Sequence, residues 1–288
     1  MVEVANPADQ TALDKAYSAR TGIEEKFDKE YLPGFASLSE AARAKLPCRL
    51  DVQYGPHRDE VCDAFPAARP GAPLMCYLHG GYWRMLTKSE NSFVATALQP
   101  AGATVMVNTY SLAPGVHIDV IVQQCRAFIA WAYRNAGFYN ADPRRLYISG
   151  HSAGGQLVGM MLATDWERDY GLPNGIIKGA AAISGIFDMV PMARAFTNEW
   201  LQLGPAAIQR NSPLRLDVKV KCPTIVAVGG GEVPGFLTQS AAYVEYLRSK
   251  GQPVELVDLP GLDHFAAWNE VMDPKRPLTK AVLKMMGL

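Results

Sequence analysis

The sequence predicts an α/β fold, a mostly parallel central sheet flanked by helices, and three observations carry the prediction. Short apolar runs at 49–54, 74–79, 103–108, 146–150, 180–184, 224–229 and 254–259 read as strands and alternate with longer helical stretches. Between the third and fourth runs, Ile118, Ile121, Cys125, Phe128 and Ala132 recur at spacings of three and four, which gives a crossover helix one apolar face to lay on a sheet. Chemistry-bearing motifs follow strand-like runs directly, and in a parallel sheet ligands are expected at the carboxyl ends of the strands.

In chain order, residues 1–46 are charged and helix-prone with Leu-Pro-Gly interrupting at 32–34, and are expected to form an N-terminal helical extension. Residues 47–288 form the α/β domain, a length suited to one large core. The Pro/Gly cluster at 66–73 reads as a strand connection. The stretch 189–216 breaks the alternation, holding Phe196, Trp200 and Leu203 with Pro205 and Pro213, and is expected to be a small cap-like insertion.

Lys plus Arg and Asp plus Glu both number 28, so the formal net charge is zero and neither nucleic acid nor an anionic membrane is an expected partner; a small-molecule substrate is. The first ten residues lack the basic and apolar regions of a signal peptide, and no 18 apolar residues run together, which gives a cytoplasmic expectation. Cys48, Cys62, Cys76, Cys125 and Cys222 are scattered, odd in number and without a C-x-x-C pair, so they read as reduced core thiols, with neither a disulfide framework nor a metal site. No cofactor is expected, and no feature of the sequence specifies an oligomeric state.

Residues 146–155, Leu-Tyr-Ile-Ser-Gly-His-Ser-Ala-Gly-Gly, run from a strand through G-x-S-x-G into a helix-like segment. The pentapeptide alone turns up in about one chain in ten of this length, and its strand and helix are what give it weight. A serine in that tight turn is strained and exposed at a helix N-terminus, which makes Ser152 the expected nucleophile. Upstream, His79-Gly80-Gly81-Tyr82-Trp83 follows the run at 74–78. Glycine lets the backbone approach a substrate, and N–H groups aimed at a developing oxyanion lower the barrier by ~3 kcal/mol each. Gly81, Tyr82 and Ala153 are the expected donors, Tyr82 and Trp83 the expected substrate-binding rings, and His79 a brace for the loop.

Of the five histidines, only His264 lies after Ser152, in the loop following the last strand-like run, where the general base of a Ser–acid–His order belongs. The acid is expected to end the preceding strand, and Glu232, after Gly229-Gly230-Gly231, occupies that place. Asp188 also ends a strand on the expected side and stays a rival, whereas Asp263 adjoins His264 and is badly placed to reach its ring.

The combination HGGYW at 79–83, GHSAGG at 150–155, SGIFDM at 184–189, GGGEVPGFLTQS at 229–240 and DHF at 263–265 resembles the arylformamidase (kynurenine formamidase) branch of the α/β-hydrolases, from about residue 49 to the end, with Tyr-x-x-Arg at 17–20 related as well. The resemblance implies an α/β-hydrolase fold and hydrolysis of N-formyl anilides such as N-formylkynurenine through an acyl-Ser152 intermediate, or short-acyl ester hydrolysis. The chain departs from the family in having Glu232 where Asp is common, Gln156 in place of a frequent His and Gly235 where Glu is usual. A general short-acyl carboxylesterase is the alternative function, and a non-catalytic binding protein of the same fold the reading from another class.

Overall fold

The computed structural model describes residues 9–288, and residues 1–8, the start of the expected extension, lie outside the described residues. Eight strands form one sheet: β1 (Arg49–Gln53), β2 (Val61–Phe65), β3 (Ala72–Leu78), β4 (Thr104–Asn108), β5 (Ala141–His151), β6 (Ile177–Ile183), β7 (Thr224–Gly229) and β8 (Val254–Leu259). Their order is β1-β2-β4-β3-β5-β6-β7-β8, with β1, β2 and β4 paired antiparallel and every pair from β4 through β3 to β8 parallel. β3, β4 and β7 are buried along their whole length, as strands covered on both faces must be, and this is why they read as unbroken apolar runs.

The sequence reading named seven strands, and the structure adds β2. Its Val-Cys-Asp-Ala-Phe is short and carries a charge in the middle, which conceals it. Asp63 is tolerated at zero exposure because Lys88 Nζ pairs with it at 3.0 Å and Ser92 Oγ donates to it at 3.0 Å. The Leu-Pro-Gly at 32–34 does not interrupt a helix: helical backbone runs from Glu24–Lys26 through a π-helical turn, Phe27–Tyr31, into the helix Leu32–Lys45, and the wider π turn just before Pro33 makes room for the proline.

The helix Ile118–Asn135 buries Ile118, Ile121, Cys125, Phe128 and Ala132, the apolar face read from its periodicity. Burial of Ile118, Ile121 or Phe128 is worth ~1.5–3 kcal/mol each at most, and Ala132 contributes less. All five thiols are free, and burial raises the Cys125 pKa to about 12 and that of Cys222 to about 11, so both stay protonated. No helix among the described residues is long and apolar enough to cross a membrane.

The segments before β1 fold back over the carboxyl end of the sheet. Phe27 packs on Phe265 at a 4.6 Å centroid distance, Phe35 lies 4.1 Å from Trp268, and Tyr31 donates to Asp263. Those contacts join residues more than 230 positions apart. The same edge gathers the loops after β3, β5, β7 and β8, where the motif residues sit.

Candidate active site

β5 runs into the helix Ala153–Leu162 through Ser152, whose φ of 59° and ψ of −120° lie outside the helical and strand regions. That turn survives because its surroundings fix it. Ser152 N–H donates to Ile183 O on β6 at 2.8 Å, and the backbone of Leu78 on β3 lies so close to Gly154 that a Cβ there would run into its carbonyl oxygen. Gly80 is equally confined, since a Cβ would stand 2.6 Å from His151 O. The elbow and the loop after β3 therefore interlock. Of the eight non-glycine residues with positive φ among the described residues, Tyr82, Trp83, Leu86, Ser152 and Ser184 all belong to this edge, a concentration of strain typical of functional sites.

His264 follows β8 and begins the helix His264–Asn269, capped by Asp263, whose carboxylate accepts from Phe265 N and Ala266 N. Its Nδ1 lies 2.6 Å from Glu232 Oε2, and both side chains are buried. A carboxylate is an acceptor only, so Nδ1 carries the proton and Nε2 is left with a lone pair. Glu232 is itself fixed through its other oxygen, which accepts from Gly229 N at 2.7 Å and Ser184 Oγ at 2.5 Å. Asp188 is engaged elsewhere: both its oxygens take a bidentate pair from Arg215 at 3.1 and 3.0 Å.

His264 has a second support that the sequence did not reveal. The ring of His151 lies 4.4 Å from that of His264, stacks on Trp268 with a 5° interplanar angle, and its Nε2 meets His264 O at 3.0 Å. Burial, with His264 beside it, holds the His151 pKa well below the usual imidazole value, so the ring is neutral and donates Nε2–H to that carbonyl.

The loop after β3 carries the other half of the site. Gly81 has φ of +99°, a conformation glycine adopts freely, and Arg84 and Met85 both donate back to its carbonyl. Ala153 opens its helix, so its N–H has no intrahelical acceptor, and the N–H groups of Gly81 and Tyr82 donate to no backbone acceptor among the described residues. These three N–H groups are thus left without a backbone acceptor. Tyr82 is clamped: its hydroxyl donates to Tyr17 O at 2.5 Å and accepts from Ala19 N at 3.0 Å, while its carbonyl accepts from Trp200 Nε1 at 3.0 Å. His79 braces the loop from below, stacked on Tyr110 at 3.8 Å with its Nδ1 2.8 Å from Gly80 O, and burial pushes its pKa down to about 4.

Trp83 departs from the sequence reading. Its ring is fully buried and donates Nε1–H to Gln156 Oε1 at 3.0 Å, on the helix behind the serine, so it faces the core and not a substrate. Tyr82 does reach the cavity. That cavity has a volume of about 30 Å³ and is lined by Ser152, His264, His151, Gly81 and Tyr82 together with Met85, Leu86, Phe265 and Trp268, and by Ala19, Arg20 and Phe27 from the N-terminal segments. A serine hydroxyl, an oriented imidazole and free N–H groups around one small apolar cavity are the parts that acyl transfer needs.

Comparison with known proteins agrees with the geometry. Residues 75–267 match the model of a family described as having the alpha/beta hydrolase fold. The kynurenine formamidase of Danio rerio is 35% identical over 266 residues, covering 90% of this chain and 89% of its own, and that of Salmo salar is 35% identical over 90% and 89%. The crystal structure of a Silicibacter protein, provisionally described as a thioesterase, superposes with a TM-score of 0.81 at 31% identity, covering 93% of this chain and 97% of its own.

Proposed function

The chain belongs to the α/β-hydrolase family, in its arylformamidase-like branch, and on that premise we propose that it cleaves small-acyl amides of aromatic amines through Ser152, His264 and Glu232. The observation that carries the assignment of residues is the 2.6 Å contact of Glu232 Oε2 with His264 Nδ1, on a cavity that Ser152 also lines. A histidine so held presents Nε2 as a base, in a site closed to most water.

In this reading Ser152 Oγ attacks the formyl carbon while His264 Nε2 takes the hydroxyl proton. The carbonyl oxygen becomes an oxyanion facing the N–H groups of Gly81, Tyr82 and Ala153. His264 then gives its proton to the anilide nitrogen as the C–N bond breaks, and the arylamine leaves. Water, deprotonated by the same imidazole, attacks the formyl-serine, releasing formate and restoring the hydroxyl. Glu232 keeps its charge throughout and stabilises the imidazolium. No step calls on a metal or an organic cofactor.

Short-acyl aryl esters use the same groups, and a general carboxylesterase is the second reading. The scattered free thiols favour a reducing, cytoplasmic setting for either activity. The test is a hydrolysis screen of formanilides beside phenyl formate and phenyl acetate, with wild type and Ser152→Ala and with fluorophosphonate labelling read by intact mass. Formanilide turnover and labelling, both lost in Ser152→Ala, are expected. Labelling that persists in the variant would move the nucleophile elsewhere, and ester turnover without formanilide turnover would leave the carboxylesterase.

A further inference from the structure

In the acyl-transfer reading the oxyanion is held by N–H groups from two separate elements. Ala153 opens the helix that follows Ser152, whereas Gly81 and Tyr82 stand in the loop after β3. The loop half does not hold its shape unaided. Tyr82 and Trp83 have φ of 50° and 59°, and two successive residues with side chains keep that left-handed conformation only where their surroundings impose it. The tight packing at Gly80 and Gly154 limits how closely loop and elbow approach, but it does not draw them together.

One side chain does. Gln156 lies one turn beyond Ser152 on the helix Ala153–Leu162, its N–H donates to Ser152 O at 3.3 Å, and it has no exposed surface. Its Oε1 accepts from Trp83 Nε1 at 3.0 Å, and its Nε2 donates to Asn211 O at 2.9 Å. Among the described residues, the first of these is the one hydrogen bond between side chains that joins the helix of Ala153 to the loop of Gly81 and Tyr82. The far end is anchored as well, because Asn211 is buried and its Nδ2 donates to Asp119 Oδ1 at 2.7 Å and to Ala207 O at 2.9 Å. The Trp83 ring is also buried, so turning it away would leave its N–H and Gln156 Oε1 without partners in a dry interior.

We propose that Gln156 is a positioning residue that sets the spacing of the two halves of the oxyanion hole, acting through Trp83. This role rests on the acyl-transfer reading. A primary amide suits it by offering an acceptor and a donor together. Oε1 fixes the Trp83 ring, and through it the strained backbone of Tyr82 and Trp83, while the bond from Nε2 to Asn211 keeps the amide from turning over. Ala153 N–H belongs to the same helix as Gln156, so slack at the ring is slack between the donors. It weakens the transition state more than the ground state, since the charge on the carbonyl oxygen develops only there.

The experiment compares wild type, Gln156→Met, Trp83→Phe, the double variant and Gln156→His. It reads kcat and KM on phenyl acetate and the affinity of methylboronic acid, whose tetrahedral adduct with a serine places negative charge where the oxyanion forms. Titration with a fluorophosphonate counts active sites, so misfolded protein does not enter kcat. Gln156→Met keeps the length of the side chain and loses both polar ends. It should lower kcat about 5- to 30-fold with KM little changed, and weaken the boronic acid by a similar factor. Trp83→Phe should do the same, and the double variant should fall no further than the worse single one, because each change removes the same bond. Gln156→His, assayed at pH 8 where a neutral ring offers one donor and one acceptor, should recover most of the loss. Losses that multiply in the double variant, that appear in KM alone, or that leave the boronic acid affinity untouched overturn the role of Gln156 while the hydrolase stands. If Gln156→Met does not fold, an unchanged kcat in Trp83→Phe overturns it equally. Wild type that neither takes up the fluorophosphonate nor turns over phenyl acetate takes down the acyl-transfer reading and this proposal with it.

Discussion

The indole N–H of Trp200 donates to the backbone carbonyl of Tyr82 at 3.0 Å, so the stretch 189–216 holds the loop that would bind the oxyanion. Phe196 and Trp200 pack edge-on against the Tyr82 ring, at 5.9 and 6.4 Å, and Arg84 lies 4.2 Å above the indole. The peptide between Tyr82 and Trp83 is thereby fixed.

Trp200→Phe removes that donor and keeps most of the ring. A neutral hydrogen bond of this kind is worth ~1 kcal/mol, so kcat should fall roughly 5- to 10-fold with KM little changed. Steady-state kinetics on phenyl acetate checks it. A pure KM effect would make Trp200 a pocket wall instead of a support for the loop.

The carboxylates separate cleanly. Glu232→Gln leaves an amide where the imidazolium needs a charge and should lower kcat by about three to four orders of magnitude. Asp188→Asn breaks an exposed pair with Arg215 and should change kcat less than tenfold. Purified variants with matching thermal melts decide it, and the opposite ranking would return the role to Asp188.

Much of this was legible because strand ends order the motifs. Once 146–150 is a strand, G-x-S-x-G has one structural meaning, and chain order leaves His264 as the base and two acids to choose between. What stayed hidden depends on contacts across the fold. Ser184 and His151 support Glu232 and His264 through side chains whose direction no local pattern specifies. Trp83 follows Tyr82 in a loop where both have positive φ, so which ring faces the cavity is set by backbone conformation and not by composition. Arg20 and Phe27 reach the site only because the N-terminal segments dock on Phe265 and Trp268, and Tyr-x-x-Arg at 17–20 was the one local hint.

Acid should destabilise the fold through its buried imidazoles. Burial lowers His79 from its ordinary value near 6.5 to about 4. Between those values the unfolded chain binds the extra proton, so stability is complete above pH ~6.5 and is lost as the pH falls towards 4, by about 3 kcal/mol for this group. His151, shifted the same way, adds to the loss. Urea unfolding at pH 7, 5.5 and 4.5 should show the decline, and His79→Asn should flatten its slope whatever it does to stability at pH 7. An unchanged slope would mean that His79 is charged in the folded protein.

The acyl group should be small, because the space beside Ser152 is. A cavity of about 30 Å³ admits roughly two water-sized groups, enough for a formyl or acetyl carbonyl set against Gly81 and Tyr82. Its walls are not free to give way, since Tyr82 is clamped by Tyr17, Ala19 and Trp200, and Trp268 stacks on His151. The roof differs. Phe27 belongs to an N-terminal segment, its ring packed between Phe265 and the Arg20 guanidinium, so it is the wall that a longer chain would have to displace. Each added methylene shifts discrimination by ~1–3 kcal/mol, and kcat/KM across formyl, acetyl, butyryl and octanoyl phenyl esters should fall steeply, by tenfold or more at the early steps. Phe27→Ala should open the roof and flatten the series, raising butyryl and octanoyl turnover relative to formyl. A series that rises with chain length in wild type would show that acyl chains occupy some other space, and a Phe27→Ala series as steep as wild type would place the limit at Tyr82 instead of the roof.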